Sequence, residues 1–145
     1  MGSTTVSSAP ASAAADCLAR AERALLEAGA TTEHTVRYAC AHVAALRTAA
    51  AVLAVRTRPH PRGERNAWVL LARVAPELTE WAAFFAAGAP KRAAAEAGLA
   101  RAVSTREADD LLRDAECFVR VVEQLLDLPG QPRLPDQVPA SGRTA

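Results

Sequence analysis

The sequence predicts an all-α fold, an antiparallel up-and-down bundle of four to five helices with disordered N- and C-terminal tails. Three observations carry this expectation. Of the 145 residues half are apolar but only 4% aromatic, and 36 are alanine, the best intrinsic helix former. Strand formers are scarce, with no isoleucine, one tyrosine and three phenylalanines. The remaining apolar residues recur at spacings of three and four, the period of a helix face. A chain of this length fits one domain and can bury roughly 68 to 70% of its unfolded surface, enough for a core without metals or disulfides.

The predicted elements follow in order. Residues 1–11 are mostly Ser, Thr, Ala and Pro without periodicity, and residues 129–145 hold four of the nine prolines. Neither end can bury enough surface to offset its ordering, so both read as disordered tails around a bundle over 12–128. The first helix runs from an N-cap at Ser12 to Ala28, with Cys17, Leu18, Ala21, Leu25 and Ala28 on one stripe. Gly29 stops it, and Asp16/Arg20 and Arg23/Glu27 form i,i+4 pairs on the wet side. The second, capped by Thr31 or Thr32, continues to Arg56 on a stripe of Val36, Cys40, Val43, Leu46, Ala50 and Leu53. Pro59, Pro61 and Gly63 make residues 57–65 a loop.

Asn66 caps the third helix, which carries Trp68, Leu71, Val74, Leu78, Trp81 and Phe85 at helical spacing and which Pro76 kinks or divides. Gly88 and Pro90 end it, a short helix follows from Lys91 to Ala97, and Gly98 stops that. Ser104-Thr-Arg-Glu107 is a capping box opening the last helix, whose seam is Leu111, Ala115, Phe118, Val122 and Leu125. The alanines supply close helix contacts, while Trp68, Trp81, Phe84, Phe85 and Phe118 fill the wider layers.

Composition removes several function classes. Seventeen basic against 16 acidic side chains give a formal charge of +1, so no global field draws the chain to nucleic acid or an anionic membrane, and any such contact must be local. No run approaches the roughly 18 uninterrupted apolar residues of a membrane span, and the N-terminus lacks the basic and hydrophobic regions of a signal peptide. Val6 breaks the myristoylation pattern. Cys17, Cys40 and Cys117 are odd in number and far apart, and read as buried reduced thiols of a cytoplasmic protein.

Metal and cofactor chemistry have no foothold. His34 and His42 lie about 12 Å apart along a helix, too far for one ion. CxxC and HExxH pairs, a catalytic Ser or Cys arrangement, a phosphate-binding glycine loop and a dinucleotide fingerprint are all missing, so no metal, cofactor or membrane partner is expected. Two features remain. His34, Tyr38 and His42 share one face of the second helix, either as a polar aromatic surface for a base or a partner, or as a boundary stripe whose ring bodies pack while their tips reach water. Arg56, Arg58, Arg62 and Arg65 crowd the loop, with Lys91 and Arg92 as possible neighbours, either as phosphate contacts or as a solvated linker.

The run RYACAHVAALRTAAAVLAVRTRP, continued by NAWVLLARVAPELTEWAAFFAAGAPKRAAAEAG, resembles the HEPN domain superfamily, in particular a branch of small single-domain actinobacterial members. The likeness spans about residues 15–127. It implies a four- or five-helix up-and-down bundle, often dimeric, of a kind that acts either as a metal-independent ribonuclease or as a partner for RNA or nucleotide. Catalytic members carry Arg-x(4–6)-His near the start of a late helix. The match here, Arg37 to His42, lies inside the second helix with Tyr38 in place of a polar residue, and the last helix has no histidine. Five residues also turn two side chains about 140° apart on a regular helix. Arg37 has a structural alternative as the i+4 mate of Glu33.

A leading reading and two alternatives result. The leading one is a non-catalytic HEPN-like module that binds RNA, nucleotide or a protein partner. The alternatives are a metal-independent ribonuclease using Arg37 and His42, and a purely structural protein that dimerises through a helix face such as His34/Tyr38/His42 or Trp81/Phe84/Phe85.

Overall fold

The computed structural model describes residues 8–57 and 63–128, and over these the chain is an antiparallel bundle of five α-helices with no strand. They are α1 (Ser8–Ala30), α2 (His34–Arg56), α3 (Ala67–Val74), α4 (Thr79–Glu96) and α5 (Thr105–Leu126). Single 3-10 turns at Pro76–Leu78 and Ala100–Ala102 join α3 to α4 and α4 to α5. Arg58 and Arg62 and most of both expected tails lie outside the described residues.

Local signals set most boundaries. The Asn66 side chain accepts from the amides of Trp68 (3.0 Å) and Val69 (3.3 Å), two donors that the start of α3 would otherwise leave unpaired. Pro76 does divide the third predicted helix, since α3 ends at Val74 and α4 starts at Thr79. The capping box forms, with Ser104 Oγ accepting from the Glu107 amide and Glu107 Oε1 from the Ser104 amide. Gly98, at φ 83°, closes α4 as a Schellman motif: its amide bonds Ala95 O and the Leu99 amide bonds Ala94 O.

Several expectations need correction. α1 starts at Ser8, so residues 8–11, expected in the tail, are helical. The N-cap of α2 is Glu33, and Thr31 instead accepts from the Glu33 amide through its hydroxyl. Gly88 and Pro90 do not end a helix, for α4 runs through both to Glu96. Gly88 is there because α2 comes close: a Cβ on it would stand 2.9 Å from Tyr38 Oη and 3.4 Å from His42 Cδ2.

α2 is the axis of the bundle and packs against the other four helices. By length and hydropathy it could cross a membrane, but more than half of its most apolar stretch is covered by the neighbouring helices. Its deepest face is Ala41, Ala44, Ala45, Ala49 and Val52, all 0% exposed, whereas the expected stripe is half-buried and Val36 is exposed. A helix enclosed on several sides has no single apolar stripe, and small residues face the nearest neighbours. Between α3, α4 and α5 the spacing is set by rings. Trp68 stacks on Phe85 (centroids 5.4 Å), Trp81 on Phe118 (5.2 Å), and Phe85 meets Phe118 at 5.1 Å. Phe84, expected in those layers, is instead exposed. The cysteines are free, but Cys17 and Cys40 are half-buried and Cys117 is exposed, so the fully buried thiols expected are not found.

Candidate functional site

The Arg37/His42 pair is divided between two structural tasks. Arg37 donates to Ala28 O (2.9 Å), Thr31 O (2.5 Å) and Asp109 Oδ1 (2.6 Å), so it clasps the C-terminal end of α1 and ties it to α5. A cation on the last carbonyls of a helix is favoured by the dipole there. Its carboxylate mate is thus Asp109, 72 residues away, and not Glu33. His42 is 1% exposed and donates from Nε2 to Phe85 O at 2.7 Å, with Trp68 and Phe85 edge-on around the ring. Its Nδ1 has no partner, and burial lowers the imidazole pKa below its ordinary value, so the ring is held neutral. In this arrangement His42 meets no surface that a substrate could reach.

Two members of the expected aromatic stripe, Tyr38 and His42, turn inward, while His34 stays half-buried at the surface. His34 Nε2 bonds Ala100 O (2.8 Å), linking α2 to the α4–α5 connection, and Tyr38 is 5% exposed. Of the loop arginines, Arg56 and Arg65 are described and do not form a cluster. Arg56 pairs with Glu77 (2.8 Å) and reaches Val74 O, Arg65 is exposed, and Lys91 is bound to Glu107.

Among the described residues two hollows beside α2 stand out instead. The larger, of about 370 Å³, lies between α4 and α5, which both pack on α2 and meet each other through side chains while their backbones stay apart. Tyr38 forms part of its wall, with Phe84, Gly88 and Lys91 from α4 and Glu107, Asp110, Leu111 and Asp114 from α5. Burial pushes the Tyr38 phenol up; burial and the neighbouring Asp110 do the same to the Asp114 carboxyl. The hydrogen bond between Lys91 and Glu107 raises the former's pKa and lowers the latter's.

The second hollow, of about 250 Å³, is a groove between α1 and α2 lined by Arg20, Arg23, Ala24, Glu27, Val43 and Arg47. Neither of the expected pairs Asp16/Arg20 and Arg23/Glu27 closes to a salt bridge among the described residues, and no ion pair engages Arg47 there. Three guanidinium groups against one carboxylate make this groove basic. Sequence reasoning missed it because it sought arginines close together in the chain; the readable signal was exposed arginines on two helices joined by a tight turn.

No group of three or more His, Cys, Asp or Glu side chains among the described residues is placed to hold a metal ion. No curated protein and no solved structure matches the chain. A family does: residues 27–123, two thirds of the chain and nearly all of α2 to α5, match the HEPN_SAV_6107-like HEPN domain. The helical bundle and this match agree, and the chain belongs to the HEPN superfamily.

Proposed function

We propose that this chain is a non-catalytic, cytoplasmic HEPN binding module that takes an anionic, phosphate-bearing ligand, RNA or a nucleotide, in the α1–α2 groove. The observation that supports it is the gathering of Arg20, Arg23 and Arg47 from two helices around one hollow, with Glu27 as the single opposing carboxylate. Arginine forks pair with phosphate oxygens bidentately, and the local charge answers the requirement set by a nearly neutral chain. The ribonuclease reading is disfavoured, since both members of the Arg37/His42 pair are engaged in holding the bundle together.

The experiment is RNA binding by the purified full chain as a function of salt. Three phosphate contacts on a single strand predict that log affinity falls with log salt at a slope of about −2. Reversing two charges with Arg23→Glu and Arg47→Glu should remove binding at low salt while leaving the circular dichroism unchanged. Wild-type affinity in that double variant overturns the groove assignment. Cleavage of the RNA without metal, lost in His42→Ala, restores the enzyme reading.

A further inference from the structure

The α4–α5 cleft has the opposite character from the groove and is a second, independent site. We propose that it binds a monovalent organic cation, an alkylguanidinium or alkylammonium on a short apolar stem. Asp114 opposes the charge, the Tyr38 hydroxyl accepts a hydrogen bond from it, and Phe84 packs on the stem.

Its shape comes from the bundle. α4 and α5 each rest on α2 and are joined to each other by the ring contacts of Phe118 with Trp81 and Phe85 and by the Lys91–Glu107 pair. Rings hold the two helices apart, and the hollow of about 370 Å³ between them falls in the range of roughly 300 to 1,000 Å³ typical of small-molecule sites. Phe84 is 47% exposed in its wall, and Leu111 adds apolar surface.

Two observations point to a ligand with donors and a positive charge. First, the ring of Tyr38 is buried, yet its hydroxyl makes no hydrogen bond among the described residues and is not sealed from the cleft, so it is free to accept from a ligand's donor. The oxygen lies at the cleft wall, because a Cβ on the wall residue Gly88 would come within 2.9 Å of it. Second, the charges do not cancel. Of the four charged wall residues, Lys91 is bound to Glu107, and Asp110 to Arg113 outside the cleft. Asp114 has no salt bridge among the described residues, so one negative charge is left over. A cation relieves it and an anion is repelled, which separates this site from the phosphate chemistry of the groove. Free small cations and an arginine or lysine side chain of a protein share this chemistry.

Calorimetric titration of the full chain tests it with n-butylguanidinium, n-butylammonium, the neutral n-butylurea and the peptide acetyl-Gly-Arg-Gly-amide. Saturable one-to-one binding of at least one cation is expected, with n-butylurea about tenfold or more weaker. A tighter peptide identifies a protein side chain as the source, and a tighter butylguanidinium identifies a free small cation. Asp114→Asn should cost about tenfold or more and Tyr38→Phe about three- to tenfold, while Arg73→Glu, exposed on α3 and outside both hollows, leaves the affinity unchanged. Because Tyr38 supports the core, circular dichroism checks the fold of that variant, and the part-exposed Asp114 provides the independent variant. Equal binding of n-butylurea, unchanged affinity in a folded Asp114→Asn, or no saturation by any of the cations at millimolar concentration overturns the proposal.

Discussion

The cleft between α4 and α5 and the groove between α1 and α2 share a central helix and differ in nearly everything else. The cleft retains an unpaired carboxylate and stands on stacked rings, Trp68, Trp81, Phe85 and Phe118. The groove carries three arginines and lies over fully buried alanines, Ala21 and Ala28 on α1 and Ala41, Ala44 and Ala45 on α2. Large rings keep helices apart and leave depth; small side chains let helices close and leave only a shallow furrow at the surface. The net charge of +1 thus conceals two local fields of opposite sign. The cleft walls also lie wholly within the segment matched to the HEPN family, whereas Arg20 and Arg23 precede it.

The largest way to break this contrast is to remove the ring that supports the cleft. Phe85 is fully buried and touches His42, Trp68, Trp81, Phe84 and Phe118. Phe85→Ala should cost about 3 to 5 kcal/mol in urea unfolding, through the lost contacts and the cavity left behind. The opposite perturbation tests the other side. Ala21 is fully buried, and Ala21→Leu should push α1 outward at a cost of about 1 to 3 kcal/mol and weaken RNA binding by displacing Arg20 and Arg23. A mild Phe85→Ala beside an Ala21→Leu that is tolerated without loss of binding would contradict the division into ring-spaced and alanine-spaced halves.

How much of this was legible in the sequence follows the same division between local and distant causes. Asn66, Pro76, Gly98 and the Ser104/Glu107 box act within a few residues, and each predicted boundary appears where its chemistry requires. Gly88 and Pro90 misled because tertiary contacts keep α4 intact: His42 donates to Phe85 O, and the missing Gly88 side chain makes room for Tyr38. The buried face of α2 differs from the expected stripe because spacing by three and four holds for more than one face of an apolar helix, and the neighbouring helices decide which of them is enclosed. Arg37 found a partner 72 residues away, for which no spacing rule exists. The candidate sites were the least legible part, since both hollows are made by juxtaposing helices; of the residues singled out as functional, Tyr38, Phe84 and Lys91 line the cleft and none lines the groove.

The smallest prediction joins the core to this comparison through pH. His42 is buried beside the ring layer with Nε2 on Phe85 O, and apart from burial it feels the charges of Arg92 and Glu96 on α4. Burial sets its folded-state pKa below the ordinary value near 6.5. As pH falls through about 6.5 the unfolded chain takes up a proton that the folded chain refuses. Stability is therefore full above that value and declines below it, by up to about 1.4 kcal/mol per pH unit until the folded-state pKa is reached. Urea unfolding at pH 7.5 and 5.5 should show a loss of stability in the wild type that His42→Gln, which keeps a donor toward Phe85 O, does not share. Because His42 supports α4 and has no contact with the arginine groove, amide exchange at pH 5.5 should quicken in α4 before α1. An equal response in both helices would mean that the two halves open as one unit, and that the ring-spaced side has no separate acid sensitivity.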